Sequence, residues 1–226
     1  MTGRPFIVAI DGPAGAGKST TARAVAAALG FAYLDSGALY RCVALAALEN
    51  GISPDDDAAL GAMAVKLHIR QTPGGRFELD GRDVSGLIRS PEVSQVASRA
   101  SACPSVRAAL VGIQRGAVLE PGTVAEGRDI GTVIFPDADL KIFLDAEADE
   151  RARRRAREMA ARDVPAETIA RVGAEMAERD RRDSTRAVAP LARAADAVVM
   201  DTTFLTFDEV VARIVAEVTI RRRAPK

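Results

Sequence analysis

The chain has 226 residues, with 31 Lys and Arg against 31 Asp and Glu, so its formal net charge is zero. This length allows one large α/β domain with an ample core and a small insertion. A balanced charge gives no field that attracts nucleic acid or an anionic membrane, and no apolar run approaches the ~20 residues that cross a bilayer. The first residues do not resemble a secretion signal, so we expect a cytoplasmic protein with no nucleic-acid or membrane partner.

The first predicted elements are a buried strand, a glycine-rich loop and a helix. The strand covers Phe6 to Ile10, a short β-branched and apolar run. Residues 12–20 match G-x-x-x-x-G-K-[ST], the pattern of a loop that binds nucleotide phosphates. The helix covers Thr21 to Leu29 and ends at Gly30. Because these elements stand in the required order, we favour a nucleoside triphosphate site over a chance glycine-rich turn that carries a lysine.

Each residue type in this loop has a physical purpose. Glycines allow backbone conformations that a β-carbon excludes, so that successive N–H groups can converge on phosphate oxygens. The following helix points its positive end at the same place. We expect Lys18 to reach the β and γ phosphates of ATP and the Ser19 hydroxyl to ligate Mg²⁺. The predicted ATP-binding residues of the loop are Gly12, Pro13, Ala14, Gly15, Ala16, Gly17, Lys18, Ser19 and Thr20.

Four more segments have the pattern of buried strands, and each leads into a polar stretch. They are Ala32 to Leu34, Thr123 to Ala125, Leu140 to Leu144 and Ala197 to Met200. With the first strand they predict a doubly wound sheet of five parallel strands, in which ligands collect at the carboxyl ends of the strands. Five polar residues should therefore surround one crevice: Asp11, Asp35, Glu126, Arg128 and Asp129.

Residues 65–90 interrupt this rhythm and predict a small antiparallel insertion. Val65 to Arg70 and Arg76 to Asp80 both alternate between apolar and polar residues, with a Pro-Gly-Gly turn between them. His68 is the only histidine, and we interpret it as a strand residue with no catalytic part. Two helices separated by Pro104 follow, Val93 to Ala102 and Ser105 to Gly116.

Two arginine-rich segments follow later in the chain. Five of the seven positions from Arg151 to Arg157 are arginine, and helical geometry spreads them around the axis. Most should pair with nearby acids on a solvated helix, while one or two could reach a triphosphate. The second segment, Arg179 to Arg186, lies just before the last strand. Guanidinium groups bind phosphates through fixed forks of donors and stay charged.

This number of cations exceeds what a site for ATP alone requires. A transfer between two phosphate-bearing molecules brings negative charges together, so cations must offset them. A phosphate monoester acceptor needs no catalytic base, because it is mostly dianionic at pH 7 with a second pKa of about 6. The sequence therefore favours a kinase that acts on a nucleoside monophosphate.

Three other functions remain possible on this reasoning. A kinase of the same fold could act on another monophosphate or on a hydroxyl acid such as shikimate, although a hydroxyl acceptor calls for a base. A GTP-binding switch normally carries N-K-x-D, which does not occur here. A nucleotide sensor without catalysis is the third possibility.

The ordered motifs resemble those of the bacterial cytidylate kinase family. They are Ile10 to Ser19, Leu34 to Arg41, Asp83 to Gly86, Glu126 to Val133, Arg179 to Asp183 and Arg186 to Pro190. The resemblance covers nearly the whole chain and implies transfer of the γ-phosphoryl group of ATP, with Mg²⁺, to CMP or dCMP. It also implies that residues 148–165 form an arginine-rich lid that closes over ATP and excludes water. We expect the protein to be a monomer.

The resemblance also assigns site residues. The catalytic cations are Lys18, Arg128, Arg179 and Arg186, and Arg154 is the lid residue assigned to ATP. The CMP-binding residues are Ser36, Arg41, Ser98, Arg107, Arg128, Asp129, Asp183 and Arg186. Arg41, Arg128 and Arg186 clamp the monophosphate, Asp183 accepts from the ribose, and Ser98, Arg107 and Asp129 read cytosine.

Three further positions are Asp35, Tyr40 and Ala14. Asp35 is a candidate to hold Mg²⁺ through a water molecule, although Asp35 and Tyr40 could equally be structural. Several relatives have a serine inside the phosphate loop where this chain has Ala14, so a side-chain contact to the acceptor phosphate is absent there.

Overall fold

The computed structural model of this chain describes residues 4–72, 74–161 and 171–223 and contains both strands and helices. The strands are β1 (Phe6–Asp11), β2 (Ala32–Asp35), β3 (Ile69–Gln71), β4 (Phe77–Leu79), β5 (Arg82–Asp83), β6 (Gly122–Glu126), β7 (Leu140–Asp145) and β8 (Val198–Asp201). The helices are α1 (Lys18–Leu29), α2 (Ser36–Glu49), α3 (Asp57–Ala64), α4 (Pro91–Ala100), α5 (Pro104–Gly116), α6 (Ala148–Ala160), α7 (Val172–Thr185) and α8 (Phe207–Arg223). A 3₁₀ turn covers Leu87–Arg89 and a π-helical turn covers Ile130–Ile134.

The central sheet has the strand order β2-β6-β1-β7-β8, and all of its pairings are parallel. This confirms the predicted five-stranded parallel sheet of an α/β fold. Ile10 lies beside Glu126 on one side and Ile142 on the other, and Asp35 lies beside Glu126. The carboxyl ends of β1, β2 and β6 therefore meet at one edge of the sheet.

Apolar side chains cover both faces of this sheet. Val8 and Ile10 pack with Val25 of α1 and Ile214 of α8 on one face. Ala9 contributes to the larger cluster on the other face, together with side chains of α2 to α5. Burial on both faces explains why the strands are continuous apolar runs rather than alternating ones.

The insertion is a three-stranded antiparallel sheet, β3-β4-β5, as predicted, but its strands are shorter than the sequence indicates. The placement of His68 in a strand is wrong. Val65 and Lys66 continue the end of α3 through hydrogen bonds to Gly61 and Met63, so alternation in this stretch reflects a turn. His68 precedes β3, and its ring is exposed.

The two helices predicted after the insertion are present as α4 and α5. Pro104 is the first residue of α5 rather than a separator, because the first turn of a helix leaves its N–H groups unbonded and tolerates proline. Of the predicted lid segment 148–165, helix α6 accounts for 148–160, and 162–165 lie outside the described residues. No helix in the described part of the chain is long and apolar enough to cross a membrane.

Gly12, where β1 passes into the phosphate loop, tests how tightly the loop is built. Its φ is +149°, and an added β-carbon would lie 2.0 Å from the Leu144 carbonyl oxygen of β7. We expect Gly12→Ala to lower the free energy of unfolding by at least about 3 kcal/mol, because strain and overpacking act together. Chemical denaturation measures the change.

The matched control is Gly112→Ala, since Gly112 lies in α5 with no heavy atom near its β-carbon position. Alanine there should be neutral or stabilising. Equal stability of the Gly12 variant and the wild type would contradict the close packing of the loop against β7.

Candidate active site

The phosphate loop leaves β1 at the sheet edge and ends at the first residue of α1. Gly12, Gly15 and Gly17 have φ values of 149°, 74° and 85°, which L-residues with side chains rarely adopt. Gly17 caps α1 without a side-chain hydrogen bond, and the first turn of α1 contains no acidic residue. The N–H groups at this helix end are therefore left for an anion from outside the loop.

Lys18 is buried inside this loop. Its ammonium Nζ donates to the Pro13 carbonyl oxygen at 2.6 Å. Burial, together with the Arg128 cation, lowers the pKa of Lys18 to about 7, although the Glu126 and Asp11 carboxylates oppose that shift. A group in this state gains a proton readily once further negative charge arrives.

Ser19 contacts a carboxylate that is 107 residues away in the sequence. Its hydroxyl donates to Oε1 of Glu126 at 2.6 Å. Glu126 is buried, and burial together with the neighbouring Asp35 raises its pKa. A hydroxyl and a carboxylate at the start of α1 are the donor types that Mg²⁺ prefers.

Asp35, the predicted holder of a metal-bound water, has other partners. Its Oδ1 accepts from the Ala38 N–H and caps α2, and its Oδ2 pairs with Arg89 at 2.8 Å. Glu126, not Asp35, therefore lies against Ser19. Among the described residues, no group of three or more His, Cys, Asp or Glu is arranged to hold a metal.

Asp11 joins the phosphate loop to the segment after β6. Its two carboxylate oxygens accept from the N–H groups of Ile130 and Gly131 at 2.8 and 2.7 Å. Burial raises the pKa of Asp11 to about 6, and the two backbone donors oppose that shift. This contact fixes the turn that carries Arg128 and Asp129 relative to β1.

Four arginines form a cluster next to Asp183: Arg128, Arg179 and Arg186 interact with this carboxylate, and Arg41 interacts with Arg179. Arg128 Nε donates to Asp183 at 2.9 Å, while Arg179 Nε lies 3.8 Å from the same carboxylate and is buried without a hydrogen bond. Burial, reinforced by the Arg128 cation, lowers the pKa of Arg179 to about 10. Arg41 forms no ion pair with another described residue, and burial lowers its pKa. Arginines that stay charged although they are buried favour the binding of an anion.

A buried cluster of polar side chains lies where α2, α4, α5 and the segment after β6 meet. Arg107 pairs with Asp129, and both side chains are 5% exposed. Arg186 Nη2 lies 3.4 Å from the other oxygen of Asp129. The Arg107 guanidinium also stacks on the Tyr40 ring at 5.5 Å.

One hydroxyl in this buried cluster has no partner. The Ser36 hydroxyl donates to Gln114 Oε1 at 2.7 Å. In contrast, Ser98 Oγ is buried without a hydrogen bond, while the Tyr40 and Gln114 side chains interact with each other. Buried polar groups are nearly always satisfied, so unpaired ones indicate a ligand with complementary polar atoms.

Gln114 was not predicted from the sequence. It lies one helical turn after Leu110 and two turns after Arg107 on the buried face of α5. A glutamine at a buried helical position was the signal available, but the 3.6-residue period alone does not separate it from a surface residue.

The arginines of α6 are mostly engaged by protein groups. Arg153 and Arg154 pair with Glu150, and Arg155 pairs with Glu158. Arg154 also donates to the Thr202 carbonyl oxygen at 2.6 Å. Its assignment to ATP stays a prediction, as do the other assigned roles of site residues.

The structure thus brings together residues from five separate stretches of sequence. A glycine-rich loop with a buried lysine, at the carboxyl end of a central parallel strand and beside a cluster of arginines, defines a P-loop kinase. The cytidylate kinase family model matches residues 8–220. The chain belongs to the cytidylate kinase family, and the resemblance seen in its motifs is confirmed.

Individual relatives agree with the family model. The chain is 52% identical over 205 residues to the cytidylate kinase of Solibacter usitatus, covering 90% of this chain and 88% of that protein. It is 49% identical over 214 residues to the cytidylate kinase of Klebsiella pneumoniae, covering 93% and 94%. A crystal structure of an uncharacterized protein from Eubacterium ventriosum matches with a TM-score of 0.50 at 12% identity, over 95% of this chain and 98% of that one, and shows the fold alone.

The lowered pKa of Lys18 predicts proton uptake on nucleotide binding. At pH 8 the free protein holds Lys18 mostly neutral, because its pKa is about 7. Phosphate oxygens favour the charged form, so binding of ATP should take up about one proton per nucleotide. Titration calorimetry in buffers of different ionisation enthalpy measures this number.

Lys18→Arg provides the control, because arginine stays charged and has no proton to gain. Uptake at pH 8 should vanish in this variant. Equal uptake in both proteins at pH 8 would show that Lys18 is not the group that titrates.

Proposed function

We propose that this protein transfers the γ-phosphoryl group of ATP to CMP or dCMP, giving ADP and CDP or dCDP. Family membership supports this reaction. The observation that carries the proposal is the closeness of Arg128 and Arg179 to Lys18, since both cations help lower the pKa of Lys18. Cations contributed by the arginine cluster thus stand beside the lysine of the donor loop, where the migrating group would lie.

The phosphate loop would bind ATP. Its backbone N–H groups and the start of α1 would receive the phosphate oxygens, and Lys18 would exchange the Pro13 carbonyl for the β and γ phosphates. Ser19 and Glu126 would hold Mg²⁺, because they provide a hydroxyl and a carboxylate in contact. Mg²⁺ would supply charge neutralisation between the β and γ phosphates.

The arginine cluster would bind the acceptor phosphate through Arg41, Arg128 and Arg186. An oxygen of this phosphate attacks the γ phosphorus, the bond from the γ phosphorus to the β-γ bridging oxygen breaks, and ADP leaves. The attacking oxygen is already ionised at pH 7, so no residue has to remove a proton. Arg128 and Arg179 would offset the charge on the migrating group.

The buried polar cluster of Ser98, Arg107 and Asp129 would recognise cytosine. Cytosine offers an amino donor together with acceptors at N3 and O2, which suits Asp129 and Ser98 on one side and Arg107 on the other. Uracil reverses this pattern at two atoms and would leave buried groups unpaired. The unpartnered Ser98 hydroxyl supports this role.

Asp183 would accept a hydrogen bond from the ribose. Burial opposes its ionisation, but the Arg128 and Arg179 cations outweigh that effect and lower its pKa. Asp183 is therefore an ionised acceptor beside the phosphate clamps. Helix α6 would belong to the lid over ATP, with Arg154 as its predicted ATP contact, and the protein would act as a monomer in the cytoplasm without nucleic-acid or membrane partners.

The acceptor is tested by ADP release with CMP, dCMP, UMP, AMP and shikimate. We expect the highest kcat/KM with CMP or dCMP. Lys18→Ala should lower kcat by at least about 100-fold, because this substitution removes the cation at the migrating group. Failure of CMP to outcompete UMP would overturn the proposal. Turnover itself excludes a sensor without catalysis.

Asp129 tests the recognition of cytosine. Asp129→Ala should lower the ratio of kcat/KM for CMP to that for UMP by about 10- to 100-fold, with a small effect on KM for ATP. Asp55→Ala is a suitable control, because Asp55 forms an exposed pair with Arg99. Loss of ATP affinity with unchanged selectivity would contradict the assignment of Asp129 to the base.

A further inference from the structure

The backbone of Ala14, at the apex of the phosphate loop, is held from both sides by side chains of two helices. Oδ1 of Asp180 in α7 accepts from the Ala14 N–H at 2.9 Å. Nη1 of Arg151 in α6 donates to the Ala14 carbonyl oxygen at 2.8 Å. Arg151 and Asp180 also pair with each other, and both are mostly buried. The three residues therefore close a ring of hydrogen bonds around one residue of the loop.

Apolar contacts reinforce this ring. The Ala14 side chain packs in a buried cluster with Met159 of α6 and with Val172 and Met176 of α7. The next residue, Gly15, lies so close that an added β-carbon would be 2.6 Å from Met176 Cε and 2.9 Å from the Arg151 carbonyl oxygen. The loop apex and the two helices thus form one packed unit.

This packing has a consequence for the identity of residue 14. A serine hydroxyl would enter an apolar cluster, while the backbone donor and acceptor of this residue are already engaged. Burial of a hydroxyl without a partner is unfavourable. Alanine therefore fits the cluster better than serine does in this chain.

We propose that Arg151 and Asp180 are positioning residues that preorganise the phosphate loop by holding the backbone of Ala14. A glycine-rich loop has many conformations to lose when it binds phosphates, and a loop that is already held loses fewer. The guanidinium of Arg151 in α6 thus binds the backbone of the phosphate loop. The inference rests on the proposed function only in that its kinetic test uses ATP and CMP.

The first test is amide hydrogen exchange in the nucleotide-free protein. Asp180→Ala and Arg151→Ala should speed exchange at residues 14–17 by about tenfold or more, with exchange in β1 and β7 unchanged. Arg153→Ala and Arg181→Ala serve as controls, since these exposed arginines lie on the same two helices and pair with Glu150 and Glu178. Unchanged exchange at 14–17 in both test variants would overturn the proposal.

The second test separates donor from acceptor. KM for ATP should rise by about tenfold in Asp180→Ala and Arg151→Ala, while KM for CMP stays within about twofold, and the double variant should be no worse than either single one. Asp180→Asn should fall between the wild type and Asp180→Ala, because the amide oxygen still accepts from the Ala14 N–H. Equal increases in both KM values, or additive effects in the double variant, would contradict a role through the loop.

Binding of inorganic tripolyphosphate, measured by calorimetry, makes the outcome independent of the acceptor. It should weaken about tenfold in the two test variants and stay unchanged in the two controls. If CMP proved not to be the acceptor while tripolyphosphate binding and exchange behaved as expected, the proposed function would fail and the role of Arg151 and Asp180 would stand. Normal turnover of CMP, with tripolyphosphate binding unchanged in the test variants, would leave the proposed function standing and overturn the role of these two residues.

Discussion

The Asp11 carboxylate links the phosphate loop to the segment that follows β6. It ends β1, one residue before the phosphate loop, and accepts from two N–H groups that lie 119 and 120 residues later in the sequence. Those N–H groups begin the turn that follows Arg128 and Asp129. The Asp11 side chain, together with the pairing of β1 and β6 and the Ser19–Glu126 hydrogen bond, fixes the phosphate loop relative to Arg128 and Asp129, and the proposed phosphoryl transfer depends on that spacing.

The site brings several cations together, and their burial and mutual repulsion lower the pKa of two of them. Burial lowers the pKa of Lys18 to about 7 and that of Arg179 to about 10, and the nearby Arg128 cation adds to both shifts. Without bound anions these cations repel one another, and the binding of two phosphate-bearing substrates relieves that repulsion. Asp183 and Glu126 offset part of the charge and are themselves placed to contact the ribose and Mg²⁺ in the proposed reaction.

The sequence by itself determined the local elements of this protein. The phosphate loop, the five parallel strands and the end of α1 at Leu29 follow from contiguous patterns, because glycine conformations and buried strands are properties of neighbouring residues. The start of α1 was predicted at Thr21 and lies at Lys18, inside the loop pattern. The boundary of β3 did not follow, since the alternation of apolar and polar residues continues through the turn at the end of α3. The ordered motifs also identified the family, because each motif carries its own chemistry.

Only the tertiary structure decided the pairings across the chain. Glu126 rather than Asp35 contacts Ser19, because β6 lies next to β1 in the sheet while β2 is one strand further away. The hydrogen bond from Ser36 to Gln114 and the contacts of α6 and α7 with the apex of the phosphate loop likewise join residues far apart in sequence. Such contacts depend on how helices pack onto the sheet, and no local pattern in the chain encodes that packing.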